Sequence, residues 1–305
     1  MDLEKRKTYL GGTDASAVLG LNRWRTPLMV WMEKTGHPAE DISDKLQVKL
    51  GVKLEQAVAD LFEEETGKKV HKVNETIFHP EYDFLGANID RKVEGERAIL
   101  ECKTTSAWKA QEYKDGNMPA EYILQCLHYL MVTGYDRAYL AVLIGNQDFI
   151  YQTIERDDLK LKPLLEKEVA WWREHIVKGS MPTQIMAEDN KALQMLYPME
   201  TTTSLVQLAD EASVLFEQLE AFEQDQFILE KKIDEAKNKL KAMIGNSEGC
   251  QTPKYQATWK EQSITTVDSK KLKKEKPEIF TAYSKSSSTR VFRWTNTSKK
   301  SKKGA

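Results

Sequence analysis

Apolar and polar positions alternate with two different periods in the first two thirds of the chain. Between residues 46 and 62, apolar side chains recur every three or four positions, at Leu50, Leu54, Ala57, Val58, Leu61 and Phe62. This spacing predicts an amphipathic helix, which follows a helical N-terminal part extending to Lys34. Shorter apolar-rich runs at 70–78, 84–93 and 98–104 predict strands. The last two runs flank a Glu-Gly-Glu-Arg turn signal and therefore predict a hairpin.

The same two periods continue to residue 178. A helix is predicted at 122–133, strands at 136–144 and 149–153, and a closing helix at 157–178. The unbroken apolar run at 139–144 predicts a fully buried strand. Trp171 and Trp172 lie at ordinary amphipathic positions, which favours a place in the core over a base-stacking role. Residues 1–185 are thus predicted to form an α/β domain.

After residue 200 the chain changes character. Apolar side chains step by three and four from Leu205 to Met243, and only Gln226 interrupts them with a polar group. This heptad pattern predicts a coiled-coil-like helix in a segment at 200–246, ~60 Å long at 1.5 Å per residue. Its apolar seam must be buried against another copy, the preceding domain or another protein.

Charge is distributed unevenly along the 305 residues. The whole chain has a net charge of −2, whereas residues 251–305 hold 14 Lys and Arg against 4 Asp and Glu. We therefore expect a basic module at 250–297, with strands at 255–260 and 290–294, and a disordered tail at 298–305. Cations interleaved with Trp259, Phe292 and Trp294 favour a nucleic-acid contact.

Cysteine and histidine usage excludes several classes of protein. The three cysteines form no CxxC pair, and the five histidines have no zinc-site spacing. Neither a signal peptide nor a run of 18 apolar residues is present. We therefore expect a soluble protein of a reducing cytoplasm.

The candidate chemistry lies on the predicted hairpin. Asp90 is followed, after ten residues, by Glu101-Cys102-Lys103. The period of two places Glu101 and Lys103 on one face of the strand, with Leu100 and Cys102 on the other. Two carboxylates favour Mg²⁺ or Mn²⁺, and Lys103 could orient or deprotonate an attacking water, which suits phosphodiester hydrolysis. The alternative is the solvated face of an edge strand.

Three neighbouring features favour the chemical interpretation. Glu55 adjoins the apolar stripe of its helix, so it can point toward the sheet. Gln125 and Tyr129 lie one helical turn apart and share a face. The loop Gly11-Gly12-Thr13-Asp14-Ala15-Ser16 precedes an apolar helix, and its amides and hydroxyl could hold an anion at the helix start.

Together these motifs resemble the YqaJ-like viral recombinases, relatives of the lambda-type 5′ to 3′ exonucleases in the PD-(D/E)XK nuclease superfamily. The resemblance covers residues 1–185 and is carried by GGTDASAVLGLNRWRTPLMVWMEKTG, the Glu55 helix, NID, LECK and QCLHYL. Asn88-Ile89-Asp90 occupies the position of the Pro-Asp pair in the superfamily name, and it retains the aspartate. The resemblance implies a restriction-endonuclease-like α/β core, followed here by the long helix and a small basic tail region.

The resemblance also implies a role for each site residue. Asp90, Glu101 and the Cys102 carbonyl would bind Mg²⁺, for which Mn²⁺ would substitute, and Glu55 would complete the shell. Lys103 would act on the attacking water, while Gln125 and Tyr129 would steady the active site and the DNA. A pocket for a terminal 5′-phosphate would comprise Arg6, Thr13, Asn88 and Lys109.

The function implied is resection of duplex DNA ends from the 5′ side, leaving 3′ single strands for a phage annealing protein. Relatives form ring-like trimers that enclose DNA, so the resemblance implies a homo-oligomer encoded by a phage or prophage and acting in the bacterial cytoplasm, without a membrane partner. Two alternatives stay open: a DNA endonuclease of the same superfamily, and a non-catalytic DNA-binding or assembly protein that retains the fold.

Overall fold

The computed structural model describes residues 3–297 and divides them into two compact units. The first contains the described part of Met1–Met199 and of Arg290–Ala305, and the second is Glu200–Thr289. The predicted tail at 298–305 lies outside the described residues. The predicted mixed α/β architecture and the long C-terminal helix are both confirmed.

The N-terminal part is helical, as predicted. Its helices are α1 (Leu3–Arg6), α2 (Gly12–Val18), α3 (Pro27–Lys34) and α4 (Leu46–Thr66). Thr26 caps α3 by accepting a hydrogen bond from the Met29 amide, and Pro27 follows at a position where a helix needs no amide donor. α4 ends at Gly67, whose φ of 68° is the left-handed conformation that terminates many helices.

The sheet of the first unit has five strands in the order β1-β4-β5-β6-β7. The strands of this unit are β1 (Val70–Lys72), β2 (Ile77–Phe78), β3 (Gly86–Ala87), β4 (Arg91–Val93), β5 (Ala98–Thr105), β6 (Arg137–Ile144) and β7 (Asp148–Glu155). β5 and β6 are parallel, and the other neighbours are antiparallel. The predicted strands at 70–78 and 84–93 are each divided in two, because β2 and β3 pair with each other outside the main sheet.

Helices connect and cover these strands. α5 (Ala120–Thr133) lies between β5 and β6, and α6 (Asp158–Trp171) continues into a π-helical turn at Trp172–Val177. A 3-10 segment at Ala107–Gly116 follows β5, and a 3-10 turn at Ala187–Asp189 precedes α7 (Asn190–Leu196). The Thr26 hydroxyl donates to Asp189, which ties this last segment to α3 beyond the predicted boundary at residue 185.

The two faces of the sheet pack against different helices. One face, which includes Leu100 and Tyr139, packs against Val58 and Phe62 of α4. The opposite face, which includes Ile99, joins the larger core formed with α2, α3, α5 and α6. Trp171 and Trp172 are buried in this larger core, as predicted. Every side chain of β5 is therefore assigned by parity to one helical layer or the other.

A buried ion pair fastens α5 to α6. His128 Nε2 lies 3.1 Å from the Gly86 carbonyl oxygen, which can only accept, so this nitrogen carries a proton. His128 Nδ1 lies 2.8 Å from Glu168 Oε2, and both side chains are inaccessible to solvent. Burial lowers the pKa of His128, but the Glu168 carboxylate outweighs it and holds the pKa above its usual value. The pair fixes α5 relative to both α6 and β3.

The second unit contains the predicted heptad helix, α8 (Asp210–Ile244). It also contains β8 (Gly249–Gln251), β9 (Gln256–Thr258), α9 (Ser269–Glu275) and α10 (Pro277–Tyr283). β9 matches the centre of the predicted strand at 255–260, whereas the predicted strand at 290–294 is wrong. The two short helices were not predicted, although Asp268 caps the first and Pro277 begins the second. Over the described residues, no helix is long and apolar enough to cross a membrane.

We predict that Gly12→Ala lowers the free energy of unfolding by about 2 kcal/mol, because a Cβ at Gly12 would lie 2.6 Å from Tyr129 and 2.7 Å from Gln125. Gly51→Ala is the matched control, since Gly51 lies inside α4 with nothing within 4 Å of an added Cβ. It should stabilise the protein by about 0.5–1 kcal/mol. Urea unfolding measures both, and equal effects of the two substitutions would contradict the packing argument.

Candidate active site

Asp90 and Glu101 lie side by side on one face of the sheet. Arg91 pairs with Leu100 in the antiparallel register of β4 and β5, so the next step outward brings Asp90 opposite Glu101. The carboxylate of Asp90 accepts a hydrogen bond of 2.8 Å from the Cys102 amide. Residues on paired positions of neighbouring strands share a face, which here is the one that packs against α5. The predicted pair of carboxylates is therefore present at the start of β4 and the middle of β5.

Glu101 is the most confined carboxylate of this pair, with 2% of its surface exposed. Its Oε1 accepts hydrogen bonds of 2.6 Å from both Lys103 Nζ and Gln125 Nε2. Its Oε2 is buried, and no group in residues 3–297 donates a hydrogen bond to it. A buried carboxylate oxygen that accepts nothing has lost its hydration without compensation, and it is a ready ligand for a cation.

The electrostatics of the three groups reflect this confinement. Burial and the neighbouring Asp90 raise the pKa of Glu101 to about 8. Burial also raises the pKa of Asp90, against the lowering effect of Lys103. Burial lowers the pKa of Lys103, but Glu101 and Asp90 outweigh it and hold the pKa above its ordinary value. Lys103 is therefore an ammonium at neutral pH, and it also lies 5.2 Å from the centre of the Tyr122 ring.

Gln125 and Tyr129 project from α5 toward this face, as the one-turn spacing predicts. Gln125 Nε2 donates to the Tyr129 hydroxyl at 2.9 Å while it also donates to Glu101. The start of α2 lies against both side chains at Gly12, where only a glycine fits. α5 thus positions the Glu101 carboxylate through Gln125, and α2 packs against α5 and supports it.

Glu55 points toward the sheet, as predicted, but it approaches from the α4 side. It forms a salt bridge with Arg91, which is 3% exposed and also bonds the Asp90 carbonyl and the Gln56 side chain. Arg91 is adjacent to Asp90 in sequence and therefore faces the opposite helical layer. Glu55 is nevertheless close enough that its charge contributes to raising the pKa of Asp90 and Glu101.

A divalent metal ion at this face would need oxygen ligands from the chain. In residues 3–297, no group of three or more His, Cys, Asp or Glu side chains is placed to hold a metal. The reason is that Glu55 bonds Arg91, which leaves two side-chain carboxylates. Mg²⁺ commonly takes only one or two carboxylates and completes its octahedron with water and substrate oxygens. Asp90 and Glu101, with the open Oε2, therefore fit such an ion.

Arg6 and Thr13, two residues of the predicted phosphate pocket, are in contact. Arg6 Nη2 donates to the Thr13 hydroxyl at 2.8 Å, and Thr13 is exposed. The Gly11 amide, however, donates to the buried Asp14 carboxylate, and the helix already begins at Gly12. That amide is thus occupied by an anion of the chain itself, which corrects the prediction of an open loop of amides.

Asp14 gathers three cations around the pocket. Its carboxylate lies 2.9–3.0 Å from Arg6, Arg25 and Lys34. Glu33 also pairs with Arg25 and Lys34, so three cations face two carboxylates and leave a positive excess beside Thr13. Burial raises the pKa of Asp14, but Arg6, Arg25 and Lys34 outweigh it and hold the pKa far below its usual range.

The other two predicted pocket residues are placed differently. Asn88 donates to the Tyr9 hydroxyl at 2.6 Å, and the Arg6 guanidinium lies 5.3 Å from the Tyr9 ring centre, so Asn88 is one side chain removed from Arg6. Lys109 lies over the exposed Trp24 at 4.7 Å. Within residues 3–297, no hydrogen bond or ion pair joins Lys109 to Arg6, Thr13 or Asn88.

Sequence reasoning missed three contributors to this region. Asp14 was treated as part of a loop, although an acid three residues after Gly11 is the spacing of a helix-capping carboxylate. Arg91 directly follows Asp90, and strand parity alone could have assigned it to α4. Tyr122 stands one turn before Gln125 on α5, but its position beside Lys103 depends on packing between elements that no local pattern records.

Comparisons with known proteins place this arrangement in context. The YqaJ-like viral recombinase domain matches residues 3–136. A protein of Bacillus subtilis (strain 168), Uncharacterized protein YqaJ, is 36% identical over 293 residues, which span 95% of this chain and 92% of that protein.

Solved structures share the fold of the first unit. The alkaline exonuclease LHK-Exo from Laribacter hongkongensis superposes with a TM-score of 0.51 at 20% identity, over 58% of this chain and 92% of that one. LHK-Exo in complex with dAMP gives 0.50 at 22% identity over the same shares. At such identities the likeness shows a common fold alone.

The domain match and the B. subtilis relative agree with each other. The match includes α2, β4, β5 and α5, the elements that carry Asp14, Asp90, Glu101 and Gln125. The relative extends the similarity across nearly the whole chain, including the long helix. This chain belongs to the YqaJ-like viral recombinase family.

Proposed function

We propose that the protein is a metal-dependent DNA exonuclease with a PD-(D/E)XK core, which hydrolyses phosphodiester bonds at the face shared by Asp90 and Glu101. The observation that carries this proposal is the buried Glu101 Oε2, which has no hydrogen-bond partner among the described residues and shares its face with the half-buried Asp90 carboxylate. Glu168 Oε1 is also buried without a hydrogen-bond partner, so the open oxygen points to a cation only together with the second carboxylate on the same face. A carboxylate oxygen that has no hydrogen-bond donor and lies next to a second carboxylate is suited to bind a cation.

Each residue then has a distinct task. Asp90, Glu101 and the Cys102 carbonyl hold Mg²⁺ or Mn²⁺, and Glu55 would join them only by leaving Arg91. When bound, the ion polarises the phosphoryl oxygens and stabilises charge on the leaving oxygen. Lys103, charged and 2.6 Å from Glu101, donates a hydrogen bond that orients the attacking water. Gln125 holds Glu101 from the α5 side, and Tyr129 holds Gln125.

We further propose resection from a 5′ end, which leaves a 3′ single strand for an annealing protein. The positive excess around Asp14, with the exposed Thr13 hydroxyl at its edge, supports recognition of a terminal 5′-phosphate. Arg6 is the direct ligand in this proposal, while Asn88 acts through Tyr9 and Lys109 contacts DNA elsewhere. Family membership supports a phage or prophage enzyme of the bacterial cytoplasm that acts as a ring-like homo-oligomer.

Two other functions make different predictions for the same residues. A non-catalytic DNA-binding protein with this fold would gain nothing from an unsatisfied Glu101 oxygen, so the site itself argues against it. An endonuclease would use the same carboxylates and lysine without needing a terminal phosphate. Only the Arg6 and Thr13 region separates the endonuclease from the proposed exonuclease.

We predict that Lys103→Ala lowers the rate of Mg²⁺-dependent digestion of a linear 5′-phosphorylated duplex by at least ~100-fold, because the donor to the attacking water is lost. Lys69→Ala is the matched control, since Lys69 is an exposed lysine that pairs with Glu63, and it should retain full activity. Release of nucleotides is followed by acid-soluble counts. Cutting of a closed circle would instead identify an endonuclease, and no digestion of any duplex would favour the binding protein.

We predict that Thr13→Ala reduces the preference for 5′-phosphorylated over 5′-hydroxyl ends by roughly tenfold, the value of one good hydrogen bond to a charged group. Thr8→Ala is the control, because the exposed Thr8 hydroxyl bonds the Lys5 carbonyl in its own turn. Initial rates on the two duplexes give the preference. An unchanged ratio in Thr13→Ala would remove Thr13 from the proposed pocket while leaving the nuclease proposal intact.

We predict that cation binding competes with a proton on Glu101, whose pKa is raised to about 8 in the absence of metal. The affinity for Mn²⁺ should therefore rise from pH 6 to 8 and level off above, with close to one proton released per ion at pH 7. Calorimetry in buffers of different ionisation enthalpy measures this release. Equal proton release by Glu101→Gln would contradict the assignment.

The same pKa has a consequence for stability without metal. Because burial raises the pKa of Glu101 above the unfolded value, its protonated form stabilises the fold below about pH 4.5, and this contribution is lost as pH rises through about 8. Relative to Glu101→Gln, the wild-type melting temperature should therefore fall between pH 5 and 9 when chelator is present.

A further inference from the structure

Helix α8 presents an apolar stripe along most of its length. The members of the stripe with the largest exposure are Leu215 at 66%, Phe222 at 67%, Leu229 at 59% and Met243 at 81%. They occupy one of the two repeating core positions of the heptad, and Ala212, Leu219, Gln226, Ile233 and Leu240 occupy the other. A stripe of this kind is buried when a second helix of matching period lies against it.

The charges flanking this stripe are segregated along the helix. Residues 210–227 contain six acids and no base, whereas residues 228–244 contain five lysines and three acids. An antiparallel second copy of the same helix brings each acidic half against a basic half. A parallel second copy brings the two acidic halves together instead.

We propose that α8 binds a second copy of itself in antiparallel orientation, so that the protein pairs through this helix. The register that aligns the stripes places Leu215 against Leu240, Phe222 against Ile233 and Gln226 against Leu229 of the second copy. The flanking positions then bring Glu223 near Lys237 and Asp225 near Lys232 of the second copy. One like-charge contact, Glu230 with its own equivalent, remains at the centre.

The parallel arrangement has no such compensation. In a parallel coiled coil, the residue just before the first core position of a heptad contacts the residue five positions later on the second copy. This brings Asp225 to Glu230 and Lys232 to Lys237, which are two like-charge contacts with no opposite-charge contact to offset them. Charge complementarity therefore selects the antiparallel pair.

Gln226 supports the same register. It lies near the middle of α8, and in the antiparallel pair the two Gln226 side chains are offset by about 4.5 Å along the axis, at 1.5 Å per residue. They can hydrogen-bond to each other there. A shift by one heptad in one direction separates the two glutamines by ten residues. The opposite shift leaves them four residues apart, but it brings Glu223 near Glu230 and Asp225 near its own equivalent, which are like-charge contacts. In the isolated chain Gln226 bonds Glu230 at 2.9 Å.

The test uses the full-length protein without DNA or metal, so its result does not depend on the proposed activity. Leu229→Asp places a charge in the central layer and should halve the mass measured by sedimentation equilibrium, with helicity by circular dichroism retained. Lys231→Glu/Lys241→Glu, which alters two lysines outside the stripe and its flanks, is the control and should retain the wild-type mass. An unchanged mass for Leu229→Asp would overturn the proposal.

Two further measurements decide the orientation. The double variants Lys232→Glu/Lys237→Glu and Glu223→Lys/Asp225→Lys should each weaken pairing at least tenfold, and an equimolar mixture should restore it. Carbodiimide cross-linking of mixed ¹⁴N and ¹⁵N wild-type protein should join Asp225 of one isotope to Lys232 of the other. Cross-links confined to one isotope, or between equivalent segments of two copies, would overturn the antiparallel pair.

Discussion

The burial of the Glu101 carboxylate is the constraint on which the first unit depends. Glu101 lies on β5, which has β4 on one side and β6 on the other, and a helical layer covers its face. A buried carboxylate is tolerated only when charged or hydrogen-bonding groups compensate its lost hydration, and the cost of failing is several kcal/mol. Lys103 and Gln125 supply that compensation to one oxygen. The placement of α5, secured by His128 and Glu168, follows from this requirement.

Strand parity divides the acidic residues between two chemical environments. Asp90 and Glu101 share the α5 face, where burial raises the pKa of each. Glu55 arrives from α4 on the opposite side and finds Arg91, the residue next to Asp90. Arg91 and Asp90 are adjacent in sequence but face opposite sides of the sheet. Glu55 is therefore paired with a guanidinium, whereas within residues 3–297 Asp90 and Glu101 are not. The difference decides which carboxylates are free to bind a cation.

The sequence was most informative where a repeating pattern extends over several turns or a full strand. α4, α5, α8 and the strands β5–β7 follow directly from period, and parity placed Glu101 and Lys103 on one face. The division of the predicted strands at 70–78 and 84–93 was missed, because β2 and β3 have only two residues each, too few to display a period. The ion pairs of Asp14 were also out of reach, because their partners come from three separate segments. Likewise, the position of Lys109 over Trp24 joins two distant irregular segments.

The contact of Gly12 with Gln125 and Tyr129 has a geometric consequence for the whole site. Thr13 follows Gly12 directly, and Gln125 bonds Glu101, so the chain from Thr13 to the carboxylates passes through packed atoms without a flexible segment. Close-packed interiors resist compression, and a length defined through them is constant. The close contact at Gly12 therefore fixes the distance between α2 and α5. The spacing between the Thr13 hydroxyl and the Glu101 carboxylate is thus a property of the fold and is the same for every substrate.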